Sequence, residues 1–375
     1  MLHAGNADRA AVILNAHLGQ NPADHEAWHL LSLAEMQPQR RQYFRALKAI
    51  RQALKIAPED IRYQGQLGFA LMNMGRFDEA ILQLQPLLET KPNDYFLLHA
   101  LQMAYCRYGK NDEAIALGRR ILQLEHSNAL AHKPGPPLEA EASASRGPLK
   151  VIAYSLWGAI PAYNPGAMIN ARLSPFFYPD WECRFYVGAD VPASTVSALK
   201  HAGATVIEAA VRHADVAPAM WRFLVADDPQ VAVFLCRDCD ARLTPKEAAA
   251  VDAWLVSGKR AHVMRDHVMH RNLMLAGLWG AHTDRPLQVA ARIRRFTGGK
   301  VVGGYGADQL FLAREIWPEI RDDCLLHASH YDLFGAQSFP VMGKGDDRFH
   351  VGMGVTDEQV LQRECRLLGL TWPLA

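Results

Sequence analysis

The 375-residue chain lacks an excess of charge of either sign, since 40 Lys and Arg face 39 Asp and Glu. Such a balance gives no broad electrostatic attraction for nucleic acid or for an anionic membrane surface, so we expect any charged ligand to be held by a local site. Half of the residues are hydrophobic, which is enough for real cores. The length exceeds the usual size of one domain, so two compact units are expected.

Long hydrophobic runs are also missing. The opening MLHAGNADRA has no apolar stretch of the kind found in a secretory leader. Nowhere does the chain approach the roughly 18 uninterrupted apolar residues that a membrane-spanning helix needs. We therefore expect a cytoplasmic protein without a transmembrane segment.

Cysteine is too sparse for a disulfide scaffold. The six cysteines are scattered along the chain, and we interpret them as reduced thiols. They are Cys106, Cys183, Cys236, Cys239, Cys324 and Cys365. Cys236 and Cys239 form a C-x-x-C, and His267 and His270 form an H-x-x-H, so a zinc site stays open as an alternative use of this region.

A repeat is visible in the first third of the chain. Pro22, Pro58 and Pro92 follow similar segments at spacings of 36 and 34 residues, and two amphipathic helical patterns lie between the last two prolines. This pattern resembles the tetratricopeptide repeat, with about three repeats after a half repeat over 7–20. The resemblance implies a helical solenoid over 1–130 that recruits a protein or glycan acceptor, or mediates assembly such as homo-oligomerisation.

The character of the sequence changes after the repeats. Residues 131–149 are rich in Pro, Ala and Ser, which predicts a linker. Over 150–375 apolar runs alternate with helical patterns, which predicts a mostly parallel sheet. The predicted strands cover 149–157, 182–190, 204–210 and 230–238, and the helices between them cover 166–175, 192–202 and 219–226.

Two acids follow the fourth predicted strand in the stretch VAVFLCRDCDAR. Asp238 and Asp240 come where the strand ends, and Thr244 with Glu247 predicts the start of a helix immediately afterwards. Ligands of such sheets bind at the carboxyl ends of the strands. Paired carboxylates suit Mg²⁺ or Mn²⁺, whose remaining positions are commonly filled by substrate phosphates, so a diphosphate is the expected ligand.

The segment RDCDARLTPKEAAAVDAWLVSGKRAHVMRDHVMHRNLMLAGLWG resembles the bacterial glycosyltransferase-like domains that often accompany tetratricopeptide repeats. Further matches, in order over about 150–355, are YSLWG, GAMINARL, YPDWECRFYV, WRF and YGADQLFL. The resemblance implies a GT-A fold, a nucleotide-sugar donor and a divalent metal, and leaves the acceptor open. The chain departs from the pattern at Cys239, Ala241 and Val268, and at His327 to Ser329, where HAS replaces the usual H-D-S.

The resemblance also implies roles for individual residues. The predicted metal ligands are Asp238, Asp240 and His327, with His330 and His350 as alternatives to the histidine. The predicted donor-binding residues are Ser155, Leu156, Trp157, Arg237, Asp238, Arg265 and His267. The predicted catalytic residues are Asp308, which opens a helix after a glycine-rich turn and would be the base of an inverting enzyme, and Asp266, in RDHVMH after the apolar AHVM of a further strand. Inversion and retention both stay open.

Two other functions remain open. The α/β half is alternatively a catalytically degenerate GT-A-like domain that only binds a ligand or partner. Another metal-dependent phosphate-handling enzyme, such as a nucleotidyltransferase, would need a glycine-rich phosphate loop early in the domain, and SLWGAIPAYNPG is a poor one.

Overall fold

A computed structural model describes residues 7–37, 40–132, 135, 147–301, 304, 306–341 and 349–372. The chain forms two compact units, Met1–Leu124 and Glu125–Ala375. Most of the predicted linker, at 133–134 and 136–146, lies outside the described residues. None of the described helices combines the length and the apolarity needed to cross a bilayer.

The first unit is a series of helices, as the repeat predicted. The helices are α1 (Ala7–Gln20), α2 (His25–Met36), α3 (Tyr43–Ile56), α4 (Ile61–Asn73), α5 (Phe77–Thr90), α6 (Tyr95–Tyr108) and α7 (Asn111–Ala131), the last of which runs past the end of the unit. From α1 to α6, each helix packs on the next one. The prediction of an N-terminal helical repeat region is confirmed.

An aspartate marks the start of alternate helices in this unit. Asp24, Asp60 and Asp94, each two residues after a repeat proline, cap α2, α4 and α6 by accepting a hydrogen bond from a backbone N–H of the first turn. A capping carboxylate satisfies an N–H that has no partner inside the helix. The repeated proline and aspartate therefore fix where each of these helices begins.

Close helix packing explains a glycine in the middle of α4. A Cβ atom added to Gly68 would lie 2.5 Å from Cγ of Leu84, a residue of α5 with no exposed surface. The absence of a side chain at Gly68 allows α4 and α5 to approach each other closely.

The second unit is built on a seven-stranded mixed sheet in the order β3-β2-β1-β4-β6-β5-β7. The strands are β1 (Leu149–Leu156), β2 (Glu182–Val187), β3 (Thr205–Glu208), β4 (Val231–Arg237), β5 (Ala261–Arg265), β6 (Trp279–His282) and β7 (Cys324–Ala328). Neighbouring strands pair in parallel, except that β6 is antiparallel to both β4 and β5. The predicted α/β class is confirmed.

Helices connect the strands of this unit. They are α8 (Tyr163–Phe177), α9 (Ala193–His201), α10 (Ala209–Arg212), a 3₁₀ helix (Pro218–Asp227), α11 (Pro245–Ser257), α12 (Val289–Thr297), α13 (Ala307–Phe311), a π-helical turn (Leu312–Ile316), α14 (Trp317–Ile320), a short 3₁₀ turn (Arg321–Asp323) and α15 (Glu358–Leu367). The predicted α-helix over 219–226 is a 3₁₀ helix instead. The backbone N–H of Arg222 donates to Ser155 Oγ at 2.9 Å, a hydrogen bond to β1 that a regular helix would direct to its own backbone.

The sheet has its topological switch point between β1 and β4. The chain leaves β1 toward β2 on one side, and β4 lies on the other side. At such a point the two connections diverge and leave a crevice at the carboxyl ends of the strands, where ligands of α/β sheets bind. Ser155 near the end of β1 and Asp238 just after β4 meet there.

Candidate functional site

A cavity of about 650 Å³ opens at the switch point. Five of the residues predicted from the sequence line it: Ser155, Trp157, Asp238, Asp240 and Asp308. Tyr163, Arg222 and residues 217–220 line it as well. The volume falls within the range of small-molecule sites.

The loop that carries the two acids is held by α8. The buried Asn170 side chain donates from Nδ2 to the carbonyl oxygens of Cys239 at 3.3 Å and Ala241 at 2.8 Å. Gly166 packs directly on the same loop, because an added Cβ would lie 2.2 Å from the Cys239 carbonyl oxygen. These contacts fix the backbone between the acids.

Two glycines make room for the carboxylates themselves. A Cβ added to Gly277 would lie 2.0 Å from Asp238 Oδ2, and one added to Gly354 would lie 2.9 Å from Asp240 Oδ2. The N–H of Val355 also donates to the Asp240 carbonyl at 2.8 Å. The backbone around 277 and around 354 therefore defines where the carboxylates lie.

Arg222 lines the cavity but was not among the site residues predicted from the sequence. Its guanidinium, 6% exposed, donates through Nη1 to Asp238 Oδ1 and through Nη2 to Asp308 Oδ2 at 3.2 Å. The Asp238 side chain keeps 41% of its surface exposed and can still receive a ligand. The motif WRF contained this arginine, but no spacing rule connects it to acids that come after the next strand.

The cavity carries more negative than positive charge. Burial, reinforced by the charge of Asp238, raises the pKa of Asp240 to about 6. Burial also raises the pKa of Asp308, although Arg222 counteracts the shift. Burial and the charge of Asp240 raise the pKa of Tyr163. Three acids around one arginine make a site that a bound cation would stabilise.

The two aspartates fit a hard divalent cation. Carboxylate oxygens are the ligands that Mg²⁺ and Mn²⁺ prefer, and such ions are commonly held by one or two carboxylates with water and phosphate oxygens completing the shell. Within the part of the chain that the structure describes, no three His, Cys, Asp or Glu side chains are arranged to hold a metal. A cation here would depend on Asp238, Asp240 and the ligand.

His327 does not join the aspartates. It is buried in β7 with its Nδ1 2.8 Å from Nε2 of His262, and it does not line the cavity. His327 was predicted from its position late in the chain. The direction of its side chain depends instead on its place in β7, because strand residues point alternately to the two faces of a sheet. The prediction of His327 as third metal ligand is corrected accordingly.

Arg237 and Leu156 also lie away from the cavity. The Arg237 guanidinium is buried, donates to Glu247 Oε1 at 2.6 Å, and hydrogen bonds to the carbonyl oxygens of Cys236 and Trp279. Leu156 is part of the apolar core beside β2. Both were predicted to bind the donor, and both are structural because their side chains leave β1 and β4 toward the interior.

Arg265, like Arg237, is a buried arginine with a structural role. Its side chain donates to the carbonyl oxygens of Asn272 at 3.0 Å and of Leu273. It lies over the ring of Trp317, 6.0 Å from the ring centre. Arg265, predicted to bind the donor, holds the loop that follows β5 and does not line the cavity.

The Asp266 carboxylate is held by three hydrogen-bond donors outside the cavity. Its buried carboxylate accepts hydrogen bonds from Lys246 Nζ at 2.5 Å, from the Ser329 hydroxyl and from the Val351 N–H at 2.8 Å. These donors come from α11, from the end of β7 and from the segment that leads to Gly354. Asp266 therefore joins three parts of the fold outside the cavity, and the prediction of a catalytic role is corrected.

His267 belongs to a histidine cluster outside the cavity. Its ring stacks on His350 with centroids 4.3 Å apart, and His270 lies 5.0 Å from His350. Burial and the neighbouring histidines lower the pKa of His267 to about 4. The N–H of Met269 donates to His267 Nδ1, so the neutral ring carries its proton on Nε2. His267, predicted to bind the donor, does not line the cavity of the aspartates.

The zinc alternative finds no support in the cysteines. Cys236 Sγ donates to the Arg222 carbonyl and Cys239 Sγ to the Ser155 carbonyl, at 3.7 and 3.3 Å. Both thiols are buried, and burial raises the pKa of Cys236 to about 12. A zinc ligand must be a thiolate, so this environment disfavours zinc.

Comparison with known proteins assigns part of the chain to a family. A model of the tetratricopeptide repeat matches residues 39–105. A comparison with curated proteins gave no significant match. The repeat assignment made from the prolines is thus confirmed for this segment.

Several solved structures are similar to parts of the chain. MamA of strain AMB-1 is 28% identical over 31% of this chain and 68% of its own, with a TM-score of 0.28. MamA from Desulfovibrio magneticus RS-1 is 17% identical over 34% and 76%, with a TM-score of 0.30. A mutant O-GlcNAc transferase from Thermobaculum terrenum is 19% identical over 63% and 44%, with a TM-score of 0.38.

Proposed function

We propose that the second unit transfers a sugar from a nucleotide-sugar donor to an acceptor hydroxyl and uses Mn²⁺ or Mg²⁺ at Asp238 and Asp240. One observation carries the proposal: Asp238, Asp240 and Asp308 meet in a single cavity at the switch point of the sheet. The glycosyltransferase-like motifs of the sequence supply the class of reaction, and the excess of acids supplies the reason for a cation.

In this reaction an acceptor oxygen forms a bond to the anomeric carbon of the sugar. The bond from that carbon to the diphosphate oxygen breaks, and the nucleoside diphosphate leaves with the electron pair. A cation bound at Asp238 and Asp240 would offset the charge that develops on the diphosphate. Trp157 and Tyr163, with ring centroids 6.4 Å apart, offer aromatic surface in the same cavity for the nucleobase.

Asp308 is the proposed base of an inverting reaction. Its carboxylate would take the proton of the acceptor hydroxyl, and a pKa raised by burial brings it closer to the working pH. In a retaining reaction the proton passes to the departing diphosphate instead. Arg222 acts as a positioning residue, because its buried guanidinium holds both Asp238 and Asp308.

We assign the repeat unit a role in binding protein partners. Stacked helical repeats present a continuous surface for another chain. A protein or glycan acceptor, or a second copy of the chain, would be held there while the second unit performs the transfer.

Thermal unfolding of the full chain with a panel of nucleotide-sugars, with and without Mn²⁺, tests the proposal. One nucleotide family is expected to stabilise the protein only with Mn²⁺, by about 2.7 kcal/mol at a hundredfold excess over Kd. Asp240→Ala should abolish the effect. Asp252→Ala, which removes an exposed acid of α11 outside the cavity, should preserve it.

Two results would count against the proposal. Equal stabilisation of the wild type and Asp240→Ala would favour a domain that binds a nucleotide without chemistry. Failure of every nucleotide-sugar to stabilise the wild type in Mn²⁺ would contradict donor binding itself.

A further inference from the structure

A second cavity of about 600 Å³ lies in the second unit between α8, α9 and residues 369–372. It shares no lining residue with the cavity of the aspartates. Its volume falls within the range of small-molecule sites. Nothing in the proposed transfer reaction uses it.

One side of this cavity is basic and rich in hydroxyl groups. Arg172 of α8 and His201 of α9 line it, and neither makes a hydrogen bond or ion pair with a described residue. Ser194 and Ser197 stand on the same face of α9 as His201, at helical spacing. None of the described residues that line the cavity is acidic. The site therefore attracts a negative charge and offers several donors to it.

Several other residues that line the cavity are apolar. Met168 is buried, and Leu370 and Trp372 line the cavity while packing on the apolar cluster of α8 and α15. An apolar body of a ligand would be removed from water here, and an indole is well suited to pack on it.

We infer that this cavity binds a small carboxylate with an apolar body. The carboxylate would accept hydrogen bonds from the Arg172 guanidinium, which matches a carboxylate with two parallel donors, and from the hydroxyls of α9. The apolar body would lie on Met168 and Trp372. The opposite orientation would place a charge on apolar surface and leave the guanidinium without a partner.

The position on α8 separates this site from the aspartates. Met168 and Arg172 face the second cavity, whereas Gly166 and Asn170, about half a helical turn away in angle, hold the loop of the aspartates. The same helix thus contributes to both places with opposite faces. Binding in the second cavity does not depend on a metal or on the proposed transfer.

Isothermal titration of the full chain with 4-phenylbutyrate, in metal-free buffer, tests the inference. We expect saturable binding with a Kd below about 1 mM. The neutral analogue 4-phenylbutan-1-ol should bind about tenfold more weakly, because it lacks the charge that the arginine recognises. Arg172→Met should weaken 4-phenylbutyrate about tenfold and leave the alcohol unchanged, since it keeps the apolar stem.

Two further variants make the result specific. Ala198→Phe should abolish binding of both compounds by filling the cavity, with unchanged thermal unfolding as proof of folding. Arg212→Met, which removes an exposed arginine outside the cavity, should bind like the wild type. Absence of saturable binding, equal affinity for acid and alcohol, or an unchanged Kd in Arg172→Met would each overturn the inference.

Discussion

At the scale of single residues, Asp240 is a carboxylate in an environment that disfavours its ionised form. It is mostly buried, and the like charge of Asp238 adds to the effect of burial on its carboxylate. Its pKa in the folded chain, about 6, lies above the ordinary value of 3.8. The cost to stability therefore grows as the pH rises from about 4 and is complete above about pH 6.

The affinity for Mn²⁺ should depend on this proton. Above pH 7 Asp240 is ionised and affinity should be constant, while below pH 6 the affinity should fall about tenfold per pH unit because the ion must displace a proton. In the metal-free protein, the stability of the fold changes with pH in the opposite direction. The folded state holds the proton of Asp240 more tightly than the unfolded state, so Asp240 destabilises the fold least below about pH 4.

Asp240→Asn provides the matched measurement. It should raise the free energy of unfolding of the metal-free chain at pH 7 by about 2 kcal/mol and remove the pH-dependent Mn²⁺ binding. Denaturant unfolding and Mn²⁺ titration, each from pH 5 to pH 8, report the two effects. A variant that is less stable than the wild type at pH 7 would show that the carboxylate is not under strain.

The type of a residue was not enough to predict the role of Arg237. Arg237 directly precedes Asp238, and both are suitable for a diphosphate site. Successive residues of a strand point to opposite sides, so the acid reaches the cavity while the arginine pairs with the buried Glu247. The partner of Arg237 is Glu247 on α11, ten residues later in the chain. The fold brings the two side chains together, and the sequence spacing does not reveal this.

At the scale of elements, the sequence was most informative where apolar runs are long. β1, β2 and β4 are buried over nearly their whole length and were visible as apolar runs. The four-residue β6 was not predicted, because such a short run has no period to detect. The repeat helices were predicted because prolines recur at spacings of 36 and 34 residues and the segments between them have an amphipathic helical period.

Helix contact in the repeat unit gives a prediction of stability. Gly68→Ala should destabilise this unit by about 2 kcal/mol, since the added methyl group meets Leu84, which is buried and cannot move aside freely. Gly19→Ala is the control: its Cβ meets nothing within 4 Å, so better helix propensity should stabilise α1 slightly. Denaturant unfolding followed by circular dichroism measures both, and equal changes in the two variants would contradict the contact.

At the scale of the whole molecule, the boundary between the two units falls within α7. The sequence predicted a boundary after residue 130, where composition changes, whereas the compact units divide after Leu124. Glu125 belongs to the second unit, where its carboxylate accepts from the Leu273 N–H at 2.9 Å and from Asn272 Nδ2 at 3.3 Å. A helix can run through a domain boundary, and its periodicity then gives no signal of the division.

Hydrogen exchange on the full chain should reveal this division. Glu125→Ala should speed exchange in residues 268–276, which lose a buried acceptor, by about tenfold or more, and leave α1 to α6 unchanged. Glu113→Ala is the control on the same helix, because its contact with Lys110 is exposed and contributes little. Faster exchange in α4 and α5 after Glu125→Ala would instead place this residue in the core of the repeats.

The reversed direction of β6 limits how the molecule can change over generations. Because β5 and β6 run in opposite directions, residues 266–278 leave and re-enter the sheet at the same edge, and Gly277 near their end abuts Asp238. A connection tethered in this way tolerates few insertions without displacing an acid. Turns at the opposite edge of the sheet, such as 227–230 before β4, do not contact the aspartates. Among relatives, length variation should therefore concentrate at that far edge, while the span of 266–278 stays constant.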